Sequence, residues 1–157
     1  MTARAGGRHR CEPANRERDP MFVNRWRITV EWGHCDPAGI VFNSRFFEFF
    51  DSATAHLFEA ALGMKKPELM SRFECDMPLV DASARFVKPI RFGEVVEIAS
   101  RVGEFRRSSF DVVHQLNLNG ELAAEGKETR VWIGRTDENK MQAKPIPPEI
   151  IERLKAN

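Results

Sequence analysis

The 157-residue chain contains no tyrosine and only three cysteines, and its charges cancel to a formal net charge of +1. A near-neutral chain lacks the overall positive field that holds nucleic acid or an anionic membrane, so we expect neither partner. No stretch of the sequence approaches the roughly 20 apolar residues that a membrane-spanning helix needs. Three cysteines without a C-x-x-C pair are too few for a disulfide framework or a zinc ribbon, so we expect free thiols in a cytoplasmic protein.

The aromatic residues that are present are almost purely apolar. The chain has 12 Phe and 3 Trp within a composition that is 42% hydrophobic and 30% charged. This composition is typical of a globular protein, and the length suits one domain with a substantial core. We expect the aromatic side chains to fill a core, a pocket or a subunit interface.

Residues 1–20 differ from the rest because they are rich in arginine and contain almost no apolar side chains. They lack the apolar segment of a secretory signal, and their acidic residues Glu12, Glu17 and Asp19 are untypical of a transit peptide. A segment with so little to bury is expected to be mobile. We therefore predict a dispensable N-terminal extension over residues 1–20 and a single domain over residues 21–157.

Hydrophobic periodicity predicts a strand followed by one long helix. Alternation over Arg25–Trp32 predicts a strand with Trp26, Ile28, Val30 and Trp32 on its buried face. A spacing of about 3.6 residues predicts a helix over about Asn43–Leu62, with Asn43 or Ser44 as its N-cap and Gly63 as its stop. The apolar stripe of this helix is unusually aromatic; it comprises Phe46, Phe49, Phe50, Ala53, Leu57 and Ala61.

The second half of the chain is predicted to be mainly extended. A short helical turn near Pro67–Phe73 precedes the predicted strands, and Asn119-Gly120 is a strong hairpin signal. The predicted strands and a terminal helix lie at Met77–Val87, Glu94–Glu104, Ser109–Asn117, Glu121–Ile133 and about Pro148–Lys155. The class is therefore α+β, with a sheet packed on one main helix. One helix cannot cover a five-stranded sheet, so we expect a second subunit to cover part of the sheet or its edge.

Polar and reactive residue types gather in the segment GHCDPAG, between the first strand and the long helix. The N-terminus of a helix offers unpaired N–H groups and a positive dipole end, which can polarise a carbonyl. Asp36 lies a few residues ahead, where a carboxylate could attack such a carbonyl or activate a water. The alternative is that Asp36 only forms an Asx-turn before Pro37.

The stretch from Trp32 to Val41, WGHCDPAGIV, followed by the aromatic helix, closely resembles the 4-hydroxybenzoyl-CoA thioesterase family. The resemblance covers about residues 24–150 and implies a hotdog fold, in which a curved antiparallel sheet wraps a long helix. It implies hydrolysis of an acyl-CoA thioester without a metal or other cofactor, by subunits paired into dimers and commonly into tetramers. It also implies that Asp36 is the catalytic carboxylate and that the backbone N–H of Asn43 is the oxyanion donor.

The same resemblance places Asp51 near a phenolic hydroxyl of the substrate. On the predicted helix, Asp51 lies eight residues beyond Asn43 and shares a stripe with Phe47, at the edge of the apolar arc. A charge at that edge needs a partner or a ligand, although a solvated residue at the helix margin is the alternative. As a substrate-binding pair, Asp51 would accept a hydrogen bond from a ring hydroxyl, and Phe47 would pack on the ring.

The segment Phe105–Phe110 places two arginines and two hydroxyl groups beside a glycine. Guanidinium groups bind phosphate bidentately, but two arginines on a surface strand are also typical of a solvated edge. The resemblance puts the CoA nucleotide here and implies contacts from Arg106, Arg107 and Ser109.

The leading hypothesis is hydrolysis of an aromatic acyl-CoA, 4-hydroxybenzoyl-CoA or a close relative, by a homodimer or homotetramer. An enzyme for short- or medium-chain aliphatic acyl-CoA and a non-catalytic acyl-CoA-binding protein are the alternatives. A metal site at His34 and Asp36 is disfavoured because no second ligand cluster follows. A nucleophilic Cys35 is disfavoured because neighbours on a turn seldom have the geometry of a nucleophile and its base.

Overall fold

A helix of 20 residues and a five-stranded antiparallel sheet form the body of the structure, a computed structural model that describes residues 21–135 and 140–155. The predicted extension over residues 1–20 lies outside the described residues. The helices are α1 (Asn43–Leu62), α2 (Lys66–Phe73) and α3 (Pro148–Leu154). The strands are β1 (Asn24–Thr29), β2 (Cys75–Asp76), β3 (Leu79–Phe86), β4 (Val95–Phe105), β5 (Ser109–Leu118), β6 (Glu121–Val131), β7 (Ile133–Arg135) and β8 (Met141–Ala143).

The large sheet has the order β1-β4-β5-β6-β3, so β1 and β3 are its edges. A second, three-stranded sheet has the order β2-β7-β8. The predicted hairpin at Asn119-Gly120 joins β5 to β6, and both turn residues have positive φ angles of 52° and 81°, as a tight hairpin turn requires. One main helix against an antiparallel sheet confirms the α+β prediction.

Helix α1 begins and ends where the periodicity predicts, but its N-cap differs. The C-cap is Gly63 with φ at 69°, and its N–H bonds to the carbonyl of Glu59. The N-cap is Phe42, which makes no side-chain capping bond, so the prediction of Asn43 or Ser44 as the cap was wrong. The Phe42 N–H bonds to the carbonyl of His34, and this contact with the loop holds the cap residue in place.

Strand β1 is shorter than predicted. It ends at Thr29, and a 3-10 turn over Trp32–His34 redirects the chain. Because of this turn, the side chain of Trp32 is 75% exposed, so its predicted place on the buried face was wrong. Trp26 and Ile28 are half-buried and Val30 is fully buried, as predicted.

The core consists of two apolar clusters along α1. The first surrounds Phe46, Phe49 and Phe50, and the second surrounds Leu57 and Phe58. Residues of β4 and β5 contribute to both clusters. The ring of Phe50 on α1 packs directly on the backbone of Gly126 on β6. The described helices include none that is both long and apolar enough to cross a membrane.

Candidate active site

Backbone hydrogen bonds fold the segment before α1 into a tight loop that presents Asp36. The Asp36 N–H bonds to the carbonyl of Ile40, and the N–H of Gly39 bonds to the carbonyl of Asp36, both at 2.9 Å. Gly39 has φ at 76°, which glycine adopts readily. The Asp36 side chain accepts the N–H of Ala38 at Oδ1, at 2.8 Å, and this is the Asx-turn that the sequence suggests. The turn fixes one carboxylate oxygen and leaves Oδ2 without a protein partner among the described residues.

The first N–H of α1 is also without a partner. The N–H groups of Val41 and Phe42 bond to the carbonyls of Ile90 and His34, whereas that of Asn43 meets no acceptor in the described part of the chain. Initial N–H groups of a helix have no acceptor within the helix, and the helix dipole adds positive potential there. The end of α1 therefore offers an N–H group to a ligand.

A cleft of about 330 Å³ brings Asp36 and Asn43 together. Its other walls are Ile40–Phe42, Phe46 and the segment Phe86–Ile90. Phe46 contacts Phe86 with ring centroids 4.8 Å apart, which gives the cleft an aromatic floor. A half-buried carboxylate and an unpaired helix N–H in one cleft form an arrangement that can activate a carbonyl compound.

His34 and Cys35 have structural contacts within the loop. The Nδ1 atom of His34 accepts the N–H of Glu31 at 2.9 Å, and its ring lies edge-on to Phe49 at 5.0 Å. Cys35 is a free thiol, as is Cys75, so the prediction of free thiols is confirmed for the two cysteines that the structure describes. The residues of the described ranges form no cluster of three His, Cys, Asp or Glu side chains that could hold a metal.

Phe47 and Asp51 lie one and two turns beyond Asn43 on a single margin of α1, outside the cleft. Phe47 is 37% exposed, and the side chain of Asp51 is 59% exposed. Asp51 is not merely a solvated residue, because its Oδ1 accepts a hydrogen bond from Nη2 of Arg130 at 2.5 Å. Arg130 lies on β6 and is itself only 3% exposed.

Arg130 belongs to a buried polar network that also contains Glu128, Thr54, His114 and Ser100. Glu128 receives hydrogen bonds from Arg130 at 3.1 Å and from Thr54 at 2.7 Å, and it lies 3.7 Å from the Nε2 atom of His114. The Nδ1 atom of His114 in turn lies 2.8 Å from the hydroxyl of Ser100. Burial would raise the pKa of Glu128, but the nearby His114 ring and the hydrogen bonds from Arg130 and Thr54 outweigh it and lower the pKa to about 2.

This network was not predicted from the sequence. The available signal was the period of two along β6, which places Glu128 and Arg130 on the same inward face as Ala124 and Gly126.

Arg106 and Arg107 lie in the turn between β4 and β5, and Ser109 is the first residue of β5. Arg106 donates two hydrogen bonds to Asp111, at 3.1 Å and 2.7 Å, and Lys127 lies 3.0 Å from the same carboxylate. Burial would raise the pKa of Asp111, but the bonds from Arg106, Lys127 and Thr129 lower it to about 2.

The neighbouring Arg107 is exposed, and its side chain has no ion-pair partner within the described ranges. Its carbonyl accepts the N–H of Ile146 at 2.9 Å, so its backbone is fixed while its side chain is available. The carbonyl of Ser108 accepts the N–H of the buried Trp132 at 2.8 Å, which anchors the same turn to the core.

This turn and the cleft lie at opposite ends of α1. Phe110, next to the turn, contacts Phe58 in the second half of the helix, with ring centroids 5.4 Å apart. Phe46, which lines the cleft, is twelve residues earlier, about 18 Å along the axis at about 1.5 Å per residue. A single chain therefore brings Asp36 and Asn43 together but leaves Arg106, Arg107 and Ser109 far from them.

Comparison with known proteins adds three findings to this geometry. A family model described as the thioesterase-like superfamily matches residues 30–154. The chain is 28% identical over 129 residues to the 4-hydroxybenzoyl-CoA thioesterase of Pseudomonas sp. (strain CBS-3), a match that covers 78% of this chain and 91% of that protein.

Two solved structures have the same fold. One is a 4-hydroxybenzoyl CoA thioesterase mutant in complex with 4-hydroxybenzoyl CoA; its TM-score is 0.76 at 25% identity, over 84% of this chain and 98% of that one. The other is a gentisyl-coenzyme A thioesterase, with a TM-score of 0.71 at 30% identity, over 83% of this chain and 98% of that one. These likenesses confirm the predicted hotdog fold.

Proposed function

The chain belongs to the thioesterase-like superfamily, and on that premise we propose that it is an acyl-CoA thioesterase whose substrate is an aromatic acyl-CoA, 4-hydroxybenzoyl-CoA or a close relative. One observation carries the proposal: the free oxygen of Asp36 and the unpaired N–H of Asn43 belong to the same cleft. The products are the free acid and CoA. The relatives named for hydroxylated aromatic acyl-CoA compounds support this choice of acyl group.

In the proposed reaction, the thioester carbonyl oxygen accepts the N–H of Asn43 at the positive end of α1. Negative charge grows on that oxygen when the carbonyl carbon becomes tetrahedral, so the N–H and the helix dipole stabilise the transition state more than the ground state. The C–S bond then breaks and CoA leaves. Asp36 serves in one of two ways: its free oxygen attacks the carbonyl carbon to give an anhydride that water hydrolyses, or it removes a proton from an attacking water.

Asp51 and Phe47 are proposed to bind the acyl ring. Asp51 is eight residues beyond Asn43, about 12 Å along α1. A 4-hydroxybenzoyl group with a hydrogen bond of about 2.8 Å at each end has a similar length, so the carbonyl can lie at Asn43 while the hydroxyl reaches Asp51. Phe47 lies midway between them and offers an exposed aromatic face.

The CoA nucleotide is proposed to bind Arg106, Arg107 and Ser109. The unpaired guanidinium of Arg107 is the group most available to a phosphate. Asp111 accepts hydrogen bonds from both Nη1 and Nη2 of Arg106 and so holds its guanidinium in a fixed direction.

We further propose that the protein is a homo-oligomer, a dimer or a tetramer, built by pairing of the free edge of β3. This edge carries exposed apolar side chains at Leu79, Val80 and Phe86, between 45% and 58% exposed. A two-fold axis pairs such edges antiparallel, so the Leu79 end of one subunit meets the Phe86 end of the other. That arrangement brings the Arg106–Ser109 turn of one subunit to the same end of the dimer as the cleft of the other.

The experiment that tests the function is a thiol-release assay over a panel of CoA esters, with wild type, Asp36→Asn and Asp36→Ala. Asparagine retains an oxygen for the N–H of Ala38, so Asp36→Asn keeps the Asx-turn and loses only the carboxylate. We expect kcat to fall by about 10³-fold or more in both variants, because the reacting group is absent. Unfolding curves should show Asp36→Asn as stable as wild type.

The alternatives give different results in the same assay. Equal rates for hexanoyl and hydroxybenzoyl esters would contradict the aromatic preference and favour an aliphatic acyl-CoA substrate. Full activity in Asp36→Asn would remove Asp36 from the chemistry. Binding without thiol release from any ester would identify a non-catalytic acyl-CoA-binding protein.

A further inference from the structure

The buried polar network ends at a carboxylate that lies at the surface. It runs from Ser100 through His114 and Glu128 to Arg130, whose Nη2 atom then reaches Asp51. The four residues before Asp51 are each at most 3% exposed, so the network lies inside the core between the two apolar clusters. The proposed thioester chemistry at Asp36 and Asn43 makes no use of it.

Each of the three guanidinium nitrogens of Arg130 donates a hydrogen bond to a neighbouring residue. Its Nε atom donates to Glu128 at 3.1 Å, its Nη1 atom to the carbonyl of Met77 at 3.2 Å, and its Nη2 atom to Asp51. A guanidinium group bonded in three directions and buried on all sides has a single orientation. The carboxylate of Asp51 is thereby tied to the core, although it is 59% exposed.

Only one oxygen of Asp51 is tied in this way. Oδ1 accepts the bond from Arg130, whereas no partner for Oδ2 occurs among the residues that the structure describes. An exposed aspartate on a helix would ordinarily sample several rotamers, each with its carboxylate in a different place. The bond from Arg130 selects one of them, so Oδ2 becomes an acceptor fixed in position and direction.

We propose that Arg130 is a positioning residue for acyl-group recognition: it fixes Asp51 so that Oδ2 accepts a hydrogen bond from a hydroxyl donor on the acyl ring. The inference rests on the proposed function in one respect, that the ligand is an aromatic acyl-CoA. The selectivity for a ring hydroxyl then depends on a pair of charges buried in the core, Glu128 and Arg130, and not only on the residue at the surface.

The test uses two thioether analogues in which a methylene separates the sulfur from the carbonyl carbon, so that neither can be hydrolysed. One carries the 4-hydroxyphenyl group and the other the plain phenyl group. Calorimetric titration gives the ratio of their two affinities, the hydroxyl ratio. In wild type we expect a ratio of about ten or more, because a hydrogen bond to a charged acceptor distinguishes the two analogues.

Two variants remove the positioning contact without leaving a lone charge in the core. Arg130→Lys keeps a cation beside Glu128 but cannot donate in three directions. The paired variant Arg130→Met with Glu128→Gln removes both buried charges together, which avoids the large cost of an unpaired buried ion. Arg85→Lys is the matched control, because Arg85 is an exposed arginine on β3 that bonds to Glu125 and not to Asp51.

We expect the hydroxyl ratio to fall to about two in both Arg130 variants and to stay near ten in Arg85→Lys. Affinity for the plain phenyl analogue should change by less than about twofold in all of them. Asp51→Asn should lower the ratio to the same extent, and adding Arg130→Lys to Asp51→Asn should lower it no further. A purely structural role for Arg130 would weaken both analogues equally and leave the ratio unchanged, which would overturn the proposal.

Two other results separate this inference from the proposed function. A wild-type ratio near one would overturn the inference while thiol release still supported the thioesterase. An intact ratio that depends on Arg130, in a protein that releases no thiol from any ester, would retain the inference and remove the hydrolytic step. Failure to bind either analogue would overturn both the ligand class and the role of Arg130.

Discussion

Arg106 and Arg107 are neighbours in the chain, but their guanidinium groups have different surroundings. Arg106 is bonded bidentately to the buried Asp111, whereas the side chain of Arg107 extends into solvent. Both arginines are proposed to contact the nucleotide, but Arg106 does so while bonded to Asp111, and only Arg107 lacks an ion-pair partner among the described residues. At the scale of single residues, two identical side chains differ in role because, in the described part of the chain, only one of them has a carboxylate within 3 Å.

Replacing Arg106 with alanine is expected to reduce stability in a pH-dependent way. A carboxyl whose pKa is lower in the folded than in the unfolded chain stabilises the fold above its ordinary pKa, which is 3.8 for Asp111, and that contribution is lost as the pH falls towards 2. Arg106→Ala removes much of what lowers this pKa. Urea unfolding should show a deficit relative to wild type at pH 6 that shrinks between pH 4 and pH 2.

Arg107→Ala is the matched control, and it should weaken substrate binding without reducing stability. We expect unchanged stability at every pH and a KM for CoA esters raised by about fivefold, as for loss of an exposed ion pair. Esters of N-acetylcysteamine, which lack the nucleotide, should be unaffected. A stability deficit in Arg106→Ala that is the same at pH 2 and pH 6 would mean that its role is packing and not charge.

Asp36 and Asn43 were predictable because the motif that carries the family resemblance lies just before the start of the long helix. Asp36 and Asn43 lie seven residues apart, and the helix start that follows Asp36 is visible in the periodicity. The network of His114, Glu128 and Arg130 was not predictable in the same way. Its members come from two strands, and charged residues are expected at the surface until the structure shows what they pair with.

At the scale of elements, local sequence signals located the ends of α1 more reliably than its cap or the end of β1. Gly63 ends the helix because glycine adopts a positive φ without strain. The cap at Phe42 depends on a hydrogen bond to His34, and the end of β1 on the turn that follows it, and both are contacts between segments. Patterns within one segment carry no information about such contacts.

The tight contact between Phe50 on α1 and Gly126 on β6 predicts a strong effect of one added methyl group. A Cβ atom at Gly126 would lie 2.4 Å from the ring of Phe50, and that ring is fully buried and stacked on His114 at 4.9 Å. Because the ring has no room to move, Gly126→Ala should lower the free energy of unfolding by about 3 kcal/mol. Denaturant titration followed by circular dichroism measures the change.

Gly33→Ala provides the control, because a Cβ atom at Gly33 would meet nothing within 4 Å. We expect its unfolding midpoint to differ little from that of wild type. If Gly126→Ala unfolded at the same denaturant concentration as Gly33→Ala, the ring of Phe50 would have to be able to leave its place on β6.

At the scale of the whole molecule, the β3 edge of the large sheet is suited to pairing with a second subunit. Strand β3 lies at the end of the sheet with apolar side chains exposed, which is unusual for a protein that remains monomeric. The sequence predicted a second subunit, because one helix cannot cover a sheet of five strands. The identity of the edge could not be predicted, because strand order is a property of long-range pairing.

Lysine on this edge should separate the subunits. Val80→Lys places a charge at a position that is 58% exposed in the single chain, and a buried unpaired charge in an interface opposes pairing. Light scattering should give a mass of two or four chains of 18.0 kDa for wild type and of one chain for Val80→Lys.

Met141→Lys is the matched control, because Met141 is 74% exposed but belongs to the small sheet. Its mass should equal that of wild type. A wild-type mass of one chain would contradict pairing through β3, and so would a Val80→Lys protein that keeps the wild-type mass.

The absence of tyrosine gives the molecule a simple optical spectrum. Its near-ultraviolet emission comes from three indole rings alone, and these differ in environment: Trp32 is in solvent, Trp26 lies 4.7 Å from the ring of His56, and Trp132 is buried. The backbone N–H of Trp132 donates to the carbonyl of Ser108, in the turn that is proposed to hold the nucleotide. The protein thus carries an intrinsic fluorophore where CoA is expected to bind, and occupancy of that turn can be followed by emission without any label.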